Sequence, residues 1–222
     1  MKNSKSLKRI ILAASLLFTV YTEAQIGRFQ VGPRFGMGAS DISVSDVDGE
    51  RLGFHTTAGI SSRFNFTNFF ALSADFLLDY RSMYRDRTGV IVDWNEFGPA
   101  DYVTRTNLLY ASVPLLAHLS VGGDKFRVGI MAGPSLNFFL YGDQHNVYRE
   151  ENLRDYDERT RLEDLNTFNP GFLYGIGFYS TTKSNQTVYL DIRHSFGLER
   201  IGKVNGNNMY NQNLSLSLGL LF

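Results

Sequence analysis

The sequence predicts an all-β chain: an eight-stranded antiparallel up-and-down β-barrel that spans a membrane. Three observations carry that expectation. Apolar and polar residues alternate with period two in eight separate stretches, as they do in strands with one apolar face. The connections alternate in length, with short turns at 67–68, 122–124 and 181–186 and long polar loops at 41–51, 85–101, 143–167 and 199–208. The last stretch, from Met209, sets Leu214, Leu216, Leu218, Leu220 and Phe222 against Asn213, Ser215, Ser217 and Gly219. A soluble sandwich has no cause to sort its loops by end, whereas a transmembrane barrel keeps short turns on one side and long loops on the other.

The N-terminus is read first. Lys2, Lys5, Lys8 and Arg9 precede an apolar run from Ile10 to Val20, and Thr22-Glu23-Ala24 offers small residues for cleavage. Residues 1–24 therefore read as a secretory signal peptide and 25–222 as the barrel. The apolar run is too short to span a bilayer comfortably, and no later one approaches the ~20 residues of a membrane helix. With no Cys, disulfides, thiolate metal sites and a lipoprotein anchor are excluded. Removing four basic residues and Glu23 leaves 22 − 4 = 18 basic against 22 − 1 = 21 acidic residues, a net of −3. That balance gives no reason to expect nucleic acid as a partner.

The elements follow in order. Arg28 to Ser40 places Phe29, Val31, Phe35 and Met37 opposite Arg28, Gln30 and Arg34. Leu52 to Phe66 places Leu52, Phe54, Ala58, Ile60, Phe64 and Phe66 opposite His55, Thr57, Ser61, Arg63 and Asn65. The third strand sets Phe70, Leu72, Ala74, Phe76, Leu78 and Tyr80 against Ser73, Asp75, Asp79 and Arg81. The fourth turns Leu109 to Val121 outward at odd positions, though Arg105 and Asn107 share that face. The fifth sets Phe126, Val128, Ile130, Ala132, Leu136 and Phe138 against Arg127, Gly129, Gly133, Ser135 and Asn137. A sixth runs from Phe168 to Ser180, and the seventh sets Val188, Leu190, Ile192 and Phe196 against Tyr189, Asp191, Arg193 and Ser195. Outward aromatics gather at both ends, as bilayer interfaces ask. Pro33, Pro114, Pro134 and Pro170 fall inside strands, where each deletes a ladder bond and a bulge is the expected accommodation.

Pro114-Leu115-Leu116, Gly122-Gly123, Gly133-Pro134, Arg193 to Leu198 and the closing Phe222 form a pattern that resembles the outer-membrane β-barrel domain family called PorT-like. The resemblance runs over essentially the whole chain after residue 24. It implies an integral barrel of the bacterial outer membrane with both termini periplasmic, and Phe222 resembles the terminal signal such barrels present to their insertion machinery. The family's namesake serves a protein secretion system, so an accessory part in such a system is one expectation. The motifs are structural rather than catalytic.

Inside the barrel the pattern places Arg28, Arg34, Arg63, Arg81, Arg127 and Arg193 with Asp75, Asp79 and Asp191. Six Arg against three Asp leave about +3. An eight-stranded interior is just wide enough for side chains to fill, and aqueous lumens come with about 16 strands. A salt-bridged plug is therefore expected, with inward glycines leaving room for the long Arg. A narrow anion-favouring channel is the alternative.

Some small barrels are lipid-modifying enzymes that use His, Ser and a carboxylate. Here His194 and Ser195 are adjacent and point to opposite faces, and His118 lies at the wrong end, so no triad and no enzyme is expected. Asp46, Asp48 and Glu50 lack the rest of a calcium loop, and neither a metal nor another cofactor is expected. What remains is a structural or interaction role. Loops on a rigid scaffold carry binding. The contact surface is therefore expected at 85–101, around Trp94, and at 143–167, where eight acidic residues and four Arg give −4. Membrane lipid and the insertion machinery are the partners implied, with surface glycans or secretion-system proteins as candidates at the loops.

Overall fold

The computed structural model describes residues 29–44, 50–92, 97–123, 125–148, 157–162, 165–182, 186–204 and 207–222. Eight long strands form the barrel: β1 (Phe29–Val44), β2 (Gly53–Asn65), β3 (Phe70–Val92), β4 (Phe97–Gly122), β5 (Phe126–Tyr148), β6 (Phe168–Thr181), β7 (Thr187–Gly197) and β8 (Asn207–Leu221). Each pairs antiparallel with its sequence neighbours, and β1 closes the ring on β8 from Arg34↔Gly219 to Val44↔Met209. Below that register Phe222 N–H donates to the Val31 carbonyl at 3.0 Å and Val31 N–H donates back at 3.3 Å. No helix occurs among the described residues. Residues 1–24, expected to be a signal peptide, lie outside them, as do Arg28, Asp46, Asp48 and Trp94.

The molecule is apolar outside and polar inside. Phe35, Phe76, Ile130, Ile176, Leu190 and Leu216 are exposed, while Arg34, Asp75, Asp79, Asp191 and Ser217 are buried. Water rewards the opposite arrangement; hydrocarbon rewards this one, because closure pairs every main-chain group and leaves no edge. Aromatic rings meet at both ends of the apolar band. Phe64 and Phe66 pack edge to face at 4.7 Å near the short turns, and Phe138 and Phe168 lie 5.3 Å apart near the long connections. Above the band the outer face turns polar. Tyr80 donates to Asn107 Oδ1 (2.8 Å), Arg105 Nε donates to the same oxygen (3.0 Å), and Asn107 Nδ2 donates to Asp143 (3.0 Å).

Two expectations are corrected. Much of what reads as loop is strand. Residues 85–92, 97–101 and 143–148 continue β3, β4 and β5, with short strands at Glu50–Arg51, Asp157–Arg161 and Gly202–Val204. Outside a membrane both faces of a hairpin are wet, so the ladder continues while the hydropathy period fades. The prolines also behave differently. The registers β1/β2 and β5/β6 run unshifted past Pro33, Pro134 and Pro170. At Pro114 the β3/β4 ladder skips two rungs between Ala74↔Leu115 and Leu77↔Ser112 and resumes in register. The register shift in the β4/β5 pairing comes at Leu109/Tyr110, opposite the extra residue Leu140. There β5 leaves β6, its last rung being Phe138↔Phe168, and takes up the short strand at Asp143↔Arg161. The bulge goes with the change of partner, not with a proline.

Candidate functional site

Period-two alternation sends odd residues of β3 and β7 and even residues of β1 and β4 into the lumen, and there they meet across the barrel. Arg34 donates from both terminal nitrogens to Asp191, at 2.7 and 3.0 Å. Arg193 donates Nη1 to Asp75 (2.7 Å) and Nη2 to Asp191 (3.2 Å), and Ser61 adds its hydroxyl to Asp75. Nearer the long connections, Arg81 grips Asp79 through Nε (3.0 Å) and Nη2 (2.6 Å). His55 Nε2 and the Ser112 hydroxyl also reach Asp79, at 3.0 and 3.1 Å. Such two-pronged Arg–carboxylate contacts fix direction as well as distance. All three Asp are thus held by Arg34, Arg193 and Arg81.

Arg63 and Arg127 stay out of that network. Arg63 lies with its guanidinium 4.3 Å above the Tyr179 ring. Arg127 donates to the carbonyls of Asn68 (3.1 Å) and Gly123 (3.4 Å). Both stand at the short-turn end.

Sequence reasoning missed three further features. First, Met83, Leu108, Tyr110, Ile201 and Met209 form a buried apolar cluster at the long-connection end, joined by Phe139, Leu162 and Leu165. Main-chain bonds from Leu162 N–H to Gly142 and from Asn166 N–H to Ile201 fold that segment inward as a cap. Inward parity of Met83, Leu108 and Tyr110 was a legible signal; Leu162 and Ile201 belong to no alternating stretch. Second, Tyr179 and Tyr189 join Leu116, Met131, Leu173 and Leu221 in an apolar layer nearer the other end. Glycine makes room there for tyrosine rather than for Arg. A Cβ on Gly219 would lie 2.2 Å from the Tyr189 ring, and one on Gly177 would lie 2.4 Å from the Tyr179 hydroxyl.

Third, His118 lies in the lumen between Ser73 (Oγ to Nε2, 2.7 Å) and the Tyr179 hydroxyl (to Nδ1, 3.0 Å). A Ser–His pair invites a catalytic reading. Tyr179 rather than a carboxylate stands behind the ring, and the adjoining cavity is about 10 Å³, room for about one water. A reacting substrate atom has no place beside Ser73. His194 instead lies on the outer face against Tyr174, its ring 5.2 Å away, while the Ser195 hydroxyl donates to the Asn213 side-chain oxygen inside (3.2 Å). Among the described residues no group of three or more acidic or His side chains is placed to hold a metal ion.

Side chains therefore fill the cross-section in layers: apolar cap, ion-pair network, tyrosine layer. The cavity beside Arg34, Asp79 and Arg81 holds about 30 Å³.

With that geometry in view, the family model for an outer membrane protein β-barrel domain matches residues 18–202. No curated protein matches the chain. Among solved structures the chain is similar to Neisserial surface protein A at 15% identity and a TM-score of 0.41, over 87% of this chain and 97% of that one. It is similar to OprG from Pseudomonas aeruginosa at 11% and 0.42, over 87% and 93%. It is also similar to Ail from Yersinia pestis, solved with the heparin analogue sucrose octasulfate, at 10% and 0.39, over 88% and 99%.

Proposed function

The chain belongs to the outer membrane protein β-barrel domain family, and from that premise we propose that it is a rigid scaffold whose raised strands dock a protein partner outside the cell. One observation carries this reading: the lumen is filled, while β3, β4 and β5 run to 23, 26 and 23 residues. About 9–11 tilted residues cross the hydrocarbon, so more than half of each strand stands clear of it. Residues 86–92 of β3 pair only with β4 among the described residues. With respect to the described residues, that is a strand edge of the kind that takes up an added strand. The docking surface is thus a β-sheet fin formed by 85–92, 97–103, 143–148 and the short strand 157–161. Both chain ends then face the periplasm, Phe222 serves as the insertion signal, and no catalysis takes place.

Excision of 87–102 tests this. Arg87 and Tyr102 are partners in register, so an Asn-Gly link between Asp86 and Val103 closes a shorter hairpin. Excision of 145–164 is a poorer tool, because it also takes Leu162 from the cap. Affinity purification from crosslinked cells is expected to lose the partner with the shortened barrel, while heat-modifiable migration shows that the barrel still folds. Recovery of the same partners by both forms rejects the fin as the docking surface. Capture of secretion-complex subunits by the intact form alone makes the PorT-like secretion role the specific reading; capture of surface glycan instead names the other occupant.

A further inference from the structure

Arg63 and Arg127 stand together at the short-turn mouth. Arg63 is 6% exposed, and its Nε has no hydrogen-bond partner. No carboxylate among the described residues lies at ion-pair distance, since Asp75, Asp79 and Asp191 are occupied by Arg34, Arg81 and Arg193. A buried guanidinium with no carboxylate beside it, supported by a tyrosine alone, is costly, and a counter-charge is what relieves it. Arg63 lines a cavity of about 160 Å³ with Arg127, Gln30, Asn65, Thr181 and Thr187. That is room for several waters.

The remaining lining supplies neutral donors. Asn65 Nδ2 donates to Gln30 Oε1 (3.2 Å), Gln30 Nε2 donates to the Thr187 hydroxyl (3.1 Å), and Thr181 and Thr187 hydroxyls lie 3.1 Å apart. Tyr179 forms the floor, and beyond it the Arg34–Asp191 layer blocks further passage, so an ion that enters must leave by the same mouth. We infer that this vestibule is a binding site for a small oxyanion of the phosphate type, held between Arg63 and Arg127. The planar fork of Arg matches two oxygens of such an anion at once, which a spherical halide cannot exploit. Hydroxyl protons of Thr181 and Thr187 can turn to the remaining oxygens.

The refolded chain in maltoside micelles, titrated with inorganic phosphate at constant ionic strength in chloride, tests the assignment by calorimetry. Saturable binding is expected, weakened about tenfold or more by R127Q, the loss of one charge-assisted contact. R63Q should do the same. If R63Q fails to fold, the half-exposed Arg127 carries the test, with T187V as a charge-neutral second variant expected to weaken binding less. R161Q, at the opposite end, should leave binding unchanged. A repeat in nanodiscs separates the sources of the group. Undiminished binding with phosphatidylglycerol present identifies the free anion, and competitive loss identifies a lipid headgroup. Absence of saturable binding, equal affinity of R127Q and R161Q, or equal competition by chloride overturns the proposal.

Discussion

Arg34 on β1 and Asp191 on β7 meet through two hydrogen bonds of 3.0 and 2.7 Å although β8 lies between their strands and 157 residues separate them in the chain. Breaking a buried pair by removing one partner strands the other charge and costs about 3–5 kcal/mol, whereas removing both is often nearly neutral. R34M alone is therefore expected to lower the unfolding free energy by about that amount. R34M combined with D191L should recover most of it, because Arg193 keeps Asp75 at 2.7 Å. Denaturant unfolding in micelles, followed by tryptophan-independent circular dichroism, checks this. A double variant as unstable as the single one contradicts it.

The layered lumen predicts electrical silence. Planar-bilayer recordings on the purified chain should show no reproducible steps of porin size. A stable large conductance would mean that the cap and ion-pair layers part in the membrane. Small anion-favouring steps would instead revive the narrow-channel reading.

Gly219 exists for Tyr189. A Cβ there would sit 2.2 Å from a ring that is 3% exposed, and forced overpacking of that kind costs about 1–3 kcal/mol. G219A should therefore destabilise the barrel, and adding Y189L should restore it. Failure of the second change to help places the clash elsewhere.

The apolar cap makes a local prediction. Ile201 is fully buried against Met209 and Leu108, and a carboxylate there cannot remain without water or a partner. I201D should release the 157–167 segment to limited proteolysis while the main unfolding transition moves little. Cleavage at wild-type rates would show that the cap holds without Ile201.

How much of this was legible in the sequence depends on where each residue sits relative to the membrane. Within the apolar band, parity alone assigns Phe35 outward and Arg34 inward, because hydrocarbon and lumen impose opposite chemistry on neighbouring residues. Above the band that contrast is gone, so 85–92 and 97–101 read as loop although their rungs run unbroken from Arg85↔Thr104 to Val92↔Phe97. Inside, residue types and faces were readable but pairings were not. Nothing in spacing says that Arg34 reaches β7 while Arg63 is left to Tyr179, since those contacts depend on how strands stagger around the ring. The cap was invisible for a different reason. Leu162, Leu165 and Ile201 are isolated apolar residues in polar surroundings, and only the fold shows what they face.

The extra residue at Leu140 has a consequence for how this scaffold can change. Below it every position on β5 is tied to a face, and a single insertion would turn the whole strand inside out. Leu140 and Tyr141 both point outward, at 50% and 45% exposure, so the parity count restarts there. Whatever is lengthened, shortened or exchanged beyond Tyr141 is insulated from the wall beneath. The bulge works as a coupling joint, and the fin can be remodelled in sequence while the membrane part keeps its address for every side chain.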